Sequence, residues 1–249
     1  MVLVKILKIN WGLDFSWSKI YDKGMVKERQ GKCVITLYHN PLCVLACTGT
    51  QNRIKEQSMY YIGIDLGTSA VKLLLMEGNG KIVRVASREY PLYFPHPGWS
   101  QQNPEDWYKQ SMDGLCELLD GIDKSQVAGI SFGGQMHGLV VLDENDQVIR
   151  PAILWNDGRT FRENDYLNQV IGKEKLSEYT ANISFTGFTA PKILWIKNNE
   201  PENFARIKKI MLPKDYLAYR LTGVHCTDVS DVSGMLLFDV KNRCWSEEM

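Results

Sequence analysis

The stretch Tyr60-Tyr61-Ile62-Gly63-Ile64-Asp65-Leu66-Gly67-Thr68-Ser69-Ala70-Val71-Lys72-Leu73-Leu74-Leu75-Met76 decides the fold. Tyr60 to Asp65 reads as a buried strand that delivers a carboxylate to its end, and Val71 to Met76 reads as a second strand. Asp65-Leu66-Gly67-Thr68-Ser69 is the turn between them. Downstream, Glu77-Gly78-Asn79-Gly80-Lys81 carries the Asn-Gly signal of a tight hairpin. Lys81 to Tyr90, valine-rich and alternating in polarity, supplies a third strand. Three strands in succession, joined by short turns, run antiparallel.

Beyond this hairpin, Asn103-Pro104-Glu105-Asp106 combines an N-cap, a proline at the first helical position and acids in the first turn. Tyr108, Met112, Leu115 and Leu119 follow at helical spacing, which predicts an amphipathic helix packed back on the sheet. Val127 to Phe132 reads as a short buried strand that Gly133-Gly134 breaks, and Gly138 to Leu142 as another. The order is β-β-β-α-β-β. After Pro151 helices are predicted over Phe161 to Ile171 with a stop at Gly172, over Lys192 to Asn198 behind Pro191, and over Asp215 to Leu221 between Pro213 and Gly223. The fold class is α/β, with helices flanking one mixed sheet. Trp195 and Trp245, set among aliphatics, read as core or edge anchors.

A chain of 249 residues, 44% of them apolar, holds one large domain or two small ones with a proper core. Lys plus Arg equals Asp plus Glu at 29 each, so no global field draws in nucleic acid or an anionic membrane. An anionic ligand must be held by a local site. The apolar run Val34 to Cys47 is interrupted at His39-Asn40-Pro41 and falls short of the ~20 residues needed to span a bilayer. Met1 to Trp11 lack the apolar core and small-residue cleavage site of a secretion signal. These features predict a cytoplasmic protein with no membrane or nucleic-acid partner. Cys33, Cys43, Cys47, Cys116, Cys226 and Cys244 are too sparse for a disulfide framework, so reduced thiols are expected. Cys33, His39, Cys43 and Cys47 have neither a C-x2-C nor an H-x3-5-H pair, which argues against zinc. Residues 1–58 show no stable period of 2 or 3.6 and read as an unassigned leader. Residues 59–249 read as the domain proper, with Met59 as the expected start.

Three clusters carry chemistry. In the first, Asp65 can hold Mg²⁺ directly or through its waters, Gly67 lets the backbone approach closely, and the Thr68 and Ser69 hydroxyls can donate to phosphate oxygens. The competing reading is an Asp that merely caps a hairpin. In the second, Ser131-Phe132-Gly133-Gly134-Gln135-Met136-His137-Gly138, glycines clear space beside the backbone. Gln135 and His137 offer donors and acceptors for sugar hydroxyls, and Met136 offers an adaptable apolar face. A satisfied structural histidine beside a Gly-Gly turn fits the same residues. In the third, Trp155 could wall a small polar ligand, Asp157 could accept from paired hydroxyls, and Arg159 could orient Asp157 in a bidentate pair. A plain Asp-Gly turn before a helix is the bland reading. Thr227-Asp228-Val229-Ser230-Asp231-Val232-Ser233-Gly234 lacks EF-hand spacing and reads as a polar turn.

In their order, Tyr61 to Ser69, Gly134 to Gly138, Pro151 to Arg159, Gly187-Phe188-Thr189-Ala190-Pro191-Lys192 and Leu212-Pro213-Lys214-Asp215-Tyr216 resemble the amino-terminal domain of xylulokinases, which belong to the FGGY carbohydrate kinases. The resemblance runs from Met59 to Met249. It implies an actin-like, ribonuclease-H-like ATPase domain, the first of two, with ATP and sugar meeting in a cleft between them. It implies that Asp65 organises Mg²⁺ and the phosphates, that the Thr68-Ser69 turn faces the γ-phosphate, and that Met136 and His137 contact the ketose. The implied reaction is ATP-dependent phosphorylation of D-xylulose to D-xylulose 5-phosphate. The expected partner is a small ketose, with a homodimer of the full-length protein as one assembly to test. In the family an Asp of the second domain takes the hydroxyl proton; no residue here matches it, and neither Asp228 nor Asp231 fills that place. The expectation is an amino-terminal fragment, inactive alone, whose cleft face exposes apolar surface. A kinase for ribulose, fuculose or a related sugar and a non-catalytic sugar-binding remnant are the alternatives.

Overall fold

A computed structural model describes residues 2–4 and 59–249. The readings of Val34 to Cys47, the Cys33, His39, Cys43 and Cys47 group and most of the leader lie outside the described residues. From the leader, β1 (Val2–Val4) forms a short strand. The hairpin follows as β2 (Tyr60–Leu66), β3 (Ala70–Glu77) and β4 (Ile82–Glu89), antiparallel in succession. After β5 (Gln101–Gln102) comes α1 (Pro104–Leu118), where the Asn103 side chain accepts from the Glu105 amide as the expected N-cap. β6 (Val127–Gly134) returns parallel to β2, and β1 lies antiparallel to β6. The sheet order is β1-β6-β2-β3-β4.

Strand alternation fixes which residues enter the core. Ile62, Ile64 and Leu66 of β2, Val71, Leu73 and Leu75 of β3, Ala86 of β4, and Ile130 and Phe132 of β6 are buried together with Trp107, Leu115 and Leu118 of α1. Each of the buried Val, Leu, Ile and Phe side chains contributes roughly 1.5–3 kcal/mol by leaving water. The same alternation turns Asp65 away from this core, so the carboxylate is exposed at the strand end.

The sequence reading and the structure differ in several places. Gly133-Gly134 does not break β6, because its pairing with β2 continues through Asp65↔Gly133 and Leu66↔Gly134. A Cβ at position 134 would lie 2.8 Å from the Leu66 carbonyl oxygen, so glycine is what permits this extension. The next strand, β7 (Val140–Leu142), does not join the mixed sheet. It is buried on both faces, and an apolar run of that kind does not say which sheet it enters. β8 (Ala152–Ile153) pairs with β5. The helix expected over Phe161 to Ile171 is α2 (Phe161–Tyr166) followed by a π-helical turn, Leu167–Gly172. Gly172, at φ 93°, redirects the chain instead of ending helical structure, and α3 (Lys173–Thr180) starts at once.

The remaining helices close the domain. α4 (Thr189–Asn199) begins before Pro191, and α5 (Pro201–Arg206) follows without having been foreseen. β9 (Lys209–Met211) pairs with β7. α6 (Pro213–Thr222) starts and stops as its proline and glycine predict, with Gly223 left-handed at φ 72°. Tyr216 meets Trp107 edge-on at 6.5 Å, joining α6 to α1 over the sheet. The polar turn at 227–234 is a capped helix, α7 (Val229–Val232), followed by the paired strands β10 (Phe238–Asp239) and β11 (Cys244–Trp245). Trp195 is core, as expected, and Trp245 packs edge-on against Phe238.

Candidate active-site shelf

The turn after β2 is braced from below. Gly67 donates its amide to the Ala70 carbonyl at 3.0 Å, and the Tyr90 hydroxyl donates to the Gly67 carbonyl. Burial, with the Asp65 charge adding to it, raises the Tyr90 hydroxyl well above its ordinary range, so it stays a donor. Buried Gln102 donates to the Thr68 carbonyl at 2.7 Å and accepts from Trp107 Nε1 and Gln135 Nε2, both at 3.1 Å. This leaves the Thr68 and Ser69 amides and hydroxyls, beside exposed Asp65, as the groups the turn can offer.

A second loop lies next to it. The Gln135 amide donates to Leu66 O at 2.8 Å, which holds the end of β6 beside the turn. Gln135 Oε1 is buried with no hydrogen-bond partner. Met136 is 46% exposed, so its apolar face is available to a ligand. His137 is left-handed at φ 61°, its ring packs on Gly234 and lies 4.7 Å from Phe188, which is 5.3 Å from Phe185. Burial first, then the Lys192 charge, lower its pKa below the usual histidine value, which favours neutral imidazole.

The third cluster closes the circuit. Leu139 and Ile153 exchange backbone hydrogen bonds of 2.9 and 3.3 Å, which sets the 153–155 segment beside the His137 loop. Trp155, 43% exposed, donates from Nε1 to Thr68 Oγ1 at 3.0 Å. Asp65, Thr68, Gln135, Met136, His137 and Trp155 therefore belong to one shelf.

Asp157 departs from the expectation that it accepts from a ligand's paired hydroxyls. Its side chain is fully buried and accepts from Ser100 N at 2.5 Å, Arg159 N at 2.9 Å, Arg159 Nε at 2.8 Å and Arg159 Nη2 at 2.7 Å. Four donors fill the capacity of a carboxylate. The anticipated Arg159 fork is present, and its guanidinium lies 3.8 Å over Trp99. Asp157 braces the loop that carries Trp155.

The shelf is open. Grooves of about 1190 Å³, lined by residues such as Tyr93, Arg150 and Arg220, and about 850 Å³, lined by Trp99, Arg162 and Trp195, contain none of Asp65, Thr68, Gln135, Met136, His137 and Trp155. Elsewhere, Lys214 Nζ sits 2.6 Å from Asp215, 2.7 Å from Asp228 and 3.1 Å from Asp231. The three acids lie close enough to share a cation, and the ammonium of Lys214 is the cation they share. Asp228 also caps α7 by accepting from the Ser230 and Asp231 amides.

Sequence reasoning missed Gln102, which links the turn to Gln135, and Lys192, whose Nζ donates to the His137 carbonyl at 2.7 Å and the Gly187 carbonyl at 2.6 Å. For Lys192 a signal was available: it shares helical spacing with Thr189, Trp195 and Ile196, a face that is buried throughout.

Residues 60–249 match the FGGY family of carbohydrate kinases, N-terminal domain. The chain belongs to this family. Over 193 residues this FGGY chain is 48% identical to the xylulose kinase of Lactococcus lactis, a match that covers 76% of the chain and 38% of the relative. A xyloylose kinase structure from Brucella ovis superimposes with a TM-score of 0.72 at 44% identity, covering 76% of this chain and 40% of that one. A gluconate kinase from Lactobacillus acidophilus superimposes at 0.73 with 29% identity, covering 77% and 39%. The FGGY chain thus has the actin-like fold of sugar kinases and spans about two fifths of the length of these relatives. Among the described residues, no helix is long and apolar enough to cross a membrane.

Proposed function

We propose that this chain is the sugar-binding part of a xylulose kinase, which transfers the γ-phosphoryl group of ATP to a primary hydroxyl of D-xylulose. The observation that carries this reading is the hydrogen bond from Trp155 Nε1 to Thr68 Oγ1, which joins an anion-suited turn to a polyol-suited wall. Relatives named xylulose kinase at 40–48% identity support the choice of ketose, since the shared fold alone fits a gluconate kinase equally well.

In this reading Thr68 and Ser69 receive the γ-phosphate, and Gly67 keeps the approach clear. Gln135, Met136, His137 and Trp155 hold the ketose, with the unpartnered Gln135 Oε1 accepting from a sugar hydroxyl. An exposed carboxylate beside two hydroxyls is a set of hard oxygen ligands that suits Mg²⁺, so Asp65 would hold the ion directly or through water. There Mg²⁺ would supply neutralisation of the charge that develops during phosphoryl transfer. The chain's own contribution is positioning: it fixes the acceptor hydroxyl against the turn in near-attack geometry.

The proton-accepting carboxylate is assigned to a second domain, and the open shelf supports this because a facing surface would have to close it. Residues 59–249 are the domain proper, residues 1–58 a leader of which Val2–Val4 add an edge strand to the domain's sheet, and the setting cytoplasmic. The test is calorimetric titration of the chain with D-xylulose, D-ribulose and D-gluconate, alongside a coupled ATP-consumption assay with and without the second domain of a relative supplied. D-xylulose binding by the chain, with turnover only when the second domain is present, is the expected result. Preference for another sugar moves the reading elsewhere in the family, and no sugar binding at all overturns it.

A further inference from the structure

His137 is not glycine, yet it holds a left-handed backbone at φ 61°. That conformation is strained for a residue with a Cβ and persists only where the surroundings over-determine it. Its carbonyl is what they hold. It accepts from Lys192 Nζ at 2.7 Å and from Thr189 Oγ1 at 3.2 Å. The same ammonium donates to the Gly187 carbonyl at 2.6 Å. Gly187 in turn lies under the tryptophan loop, so close that a Cβ there would sit 2.6 Å from the Trp155 carbonyl oxygen. One buried nitrogen therefore ties the loop of Met136 and His137 to the backbone beneath Trp155.

Burial and the helix start both disfavour a charged lysine at this place. Lys192 has no solvent exposure and forms no ion pair within the described residues. It stands in the first turn of α4, where the helix dipole disfavours a cation. The charged and titratable groups that act on it are Asp157, Arg159 and His137, and burial outweighs the attraction of Asp157. A methionine would fill the volume without the desolvation cost. We propose that Lys192 is a positioning residue for the ketose: by clamping the His137 and Gly187 carbonyls it fixes the spacing between the Met136-His137 wall and the Trp155 wall. The ketose itself rests on the functional reading above; the clamp does not.

The test uses the 249-residue chain and the variants K192M, K192A and T189V. Two quantities are read: amide hydrogen exchange of the segments 134–139 and 185–190 by mass spectrometry, and D-xylulose affinity by calorimetry. K192M should raise exchange in both segments and weaken D-xylulose binding, each about tenfold, because the Gly187 carbonyl loses its donor and the His137 carbonyl is left with the longer bond from Thr189 alone. T189V, which removes the longer bond to the same carbonyl, should cost about threefold and act on 134–139 alone. Added n-propylamine should restore protection and affinity to K192A, while 1-propanol should not. Unchanged exchange in K192M, affinity within twofold of the parent, or equal rescue by the alcohol would overturn the proposal. Should K192M fail to fold, T189V decides, and unchanged exchange at 134–139 then counts against the clamp. A parent chain that binds no D-xylulose sinks the substrate reading, and the exchange measurements still decide the role of Lys192.

Discussion

Lys192 and Lys214 are both buried, one under the candidate shelf and one where α6 meets α7, and their surroundings treat the charge in opposite ways. Lys192 is met by two carbonyls, and desolvation pulls its pKa down from the usual value to about 7. Burial also opposes the charge of Lys214, but Asp215, Asp231 and Asp228 overcome it and raise its pKa above the ordinary lysine range. The acids divide unequally around that ammonium. Burial dominates at Asp231 and pushes it up to about 6, whereas at Asp228 the Lys214 and Ser230 hydrogen bonds outweigh burial and hold it well below the carboxylate range. A cation over-supplied with carboxylates fastens helices together. A cation under-supplied with charge is kept for what its hydrogen bonds hold in place.

The comparison breaks first at Lys214. K214M leaves three acids without their cation, which should cost about 3–5 kcal/mol at pH 7.5. Thermal unfolding should show a fall on the order of 10 °C. The loss should shrink toward pH 5 as Asp231 and Asp215, both raised by burial, take up protons; an equal midpoint at pH 7.5 would remove the contrast.

The second difference is in pH dependence. Lys192 has a depressed folded pKa, so between about pH 7 and 10 the unfolded chain binds the extra proton and stability rises with pH. Relative to K192M, the parent should therefore gain about 2–3 kcal/mol between pH 6 and 9, measured by urea unfolding. Lys214 has a raised pKa, so its contribution is full below about pH 10, and the gap between K214M and the parent should stay level from pH 7.5 to 9. A neutral amine keeps two donors, so the clamp on His137 survives deprotonation.

A smaller effect is expected at Asp231. Its raised pKa means that its favourable contribution is present below about pH 4 and lost as pH rises through about 6. D231N should match the parent at pH 4 and exceed it by about 1 kcal/mol at pH 7. Smallest of all, E117Q breaks the exposed Arg88–Glu117 pair and should shift stability by less than about 0.5 kcal/mol, the control that burial sets these magnitudes.

Local signals carried the hairpin, the Asn103 cap and the Pro213 and Gly223 limits of α6, because each depends on a few adjacent residues. The anion turn was legible for the same reason, since Gly67, Thr68 and Ser69 are consecutive. What escaped depends on distance along the chain. Gln102 reaches Thr68 across 34 positions and Lys192 reaches His137 across 55. Asp157 was readable as one half of an Arg159 pair, but only packing shows Ser100 taking its remaining capacity. The membership of β7 in a separate pair with β9 likewise depends on Lys209–Met211, which has no strand signal of its own.

The bond from the Trp155 indole to the Thr68 hydroxyl also makes the chain its own optical reporter. That fluorophore is 43% exposed, and its N–H is tethered to the turn that would meet phosphate. Its emission should therefore shift whether a ligand presses on the indole face or draws the hydroxyl away, so that both halves of the shelf can be followed in one cuvette without a label.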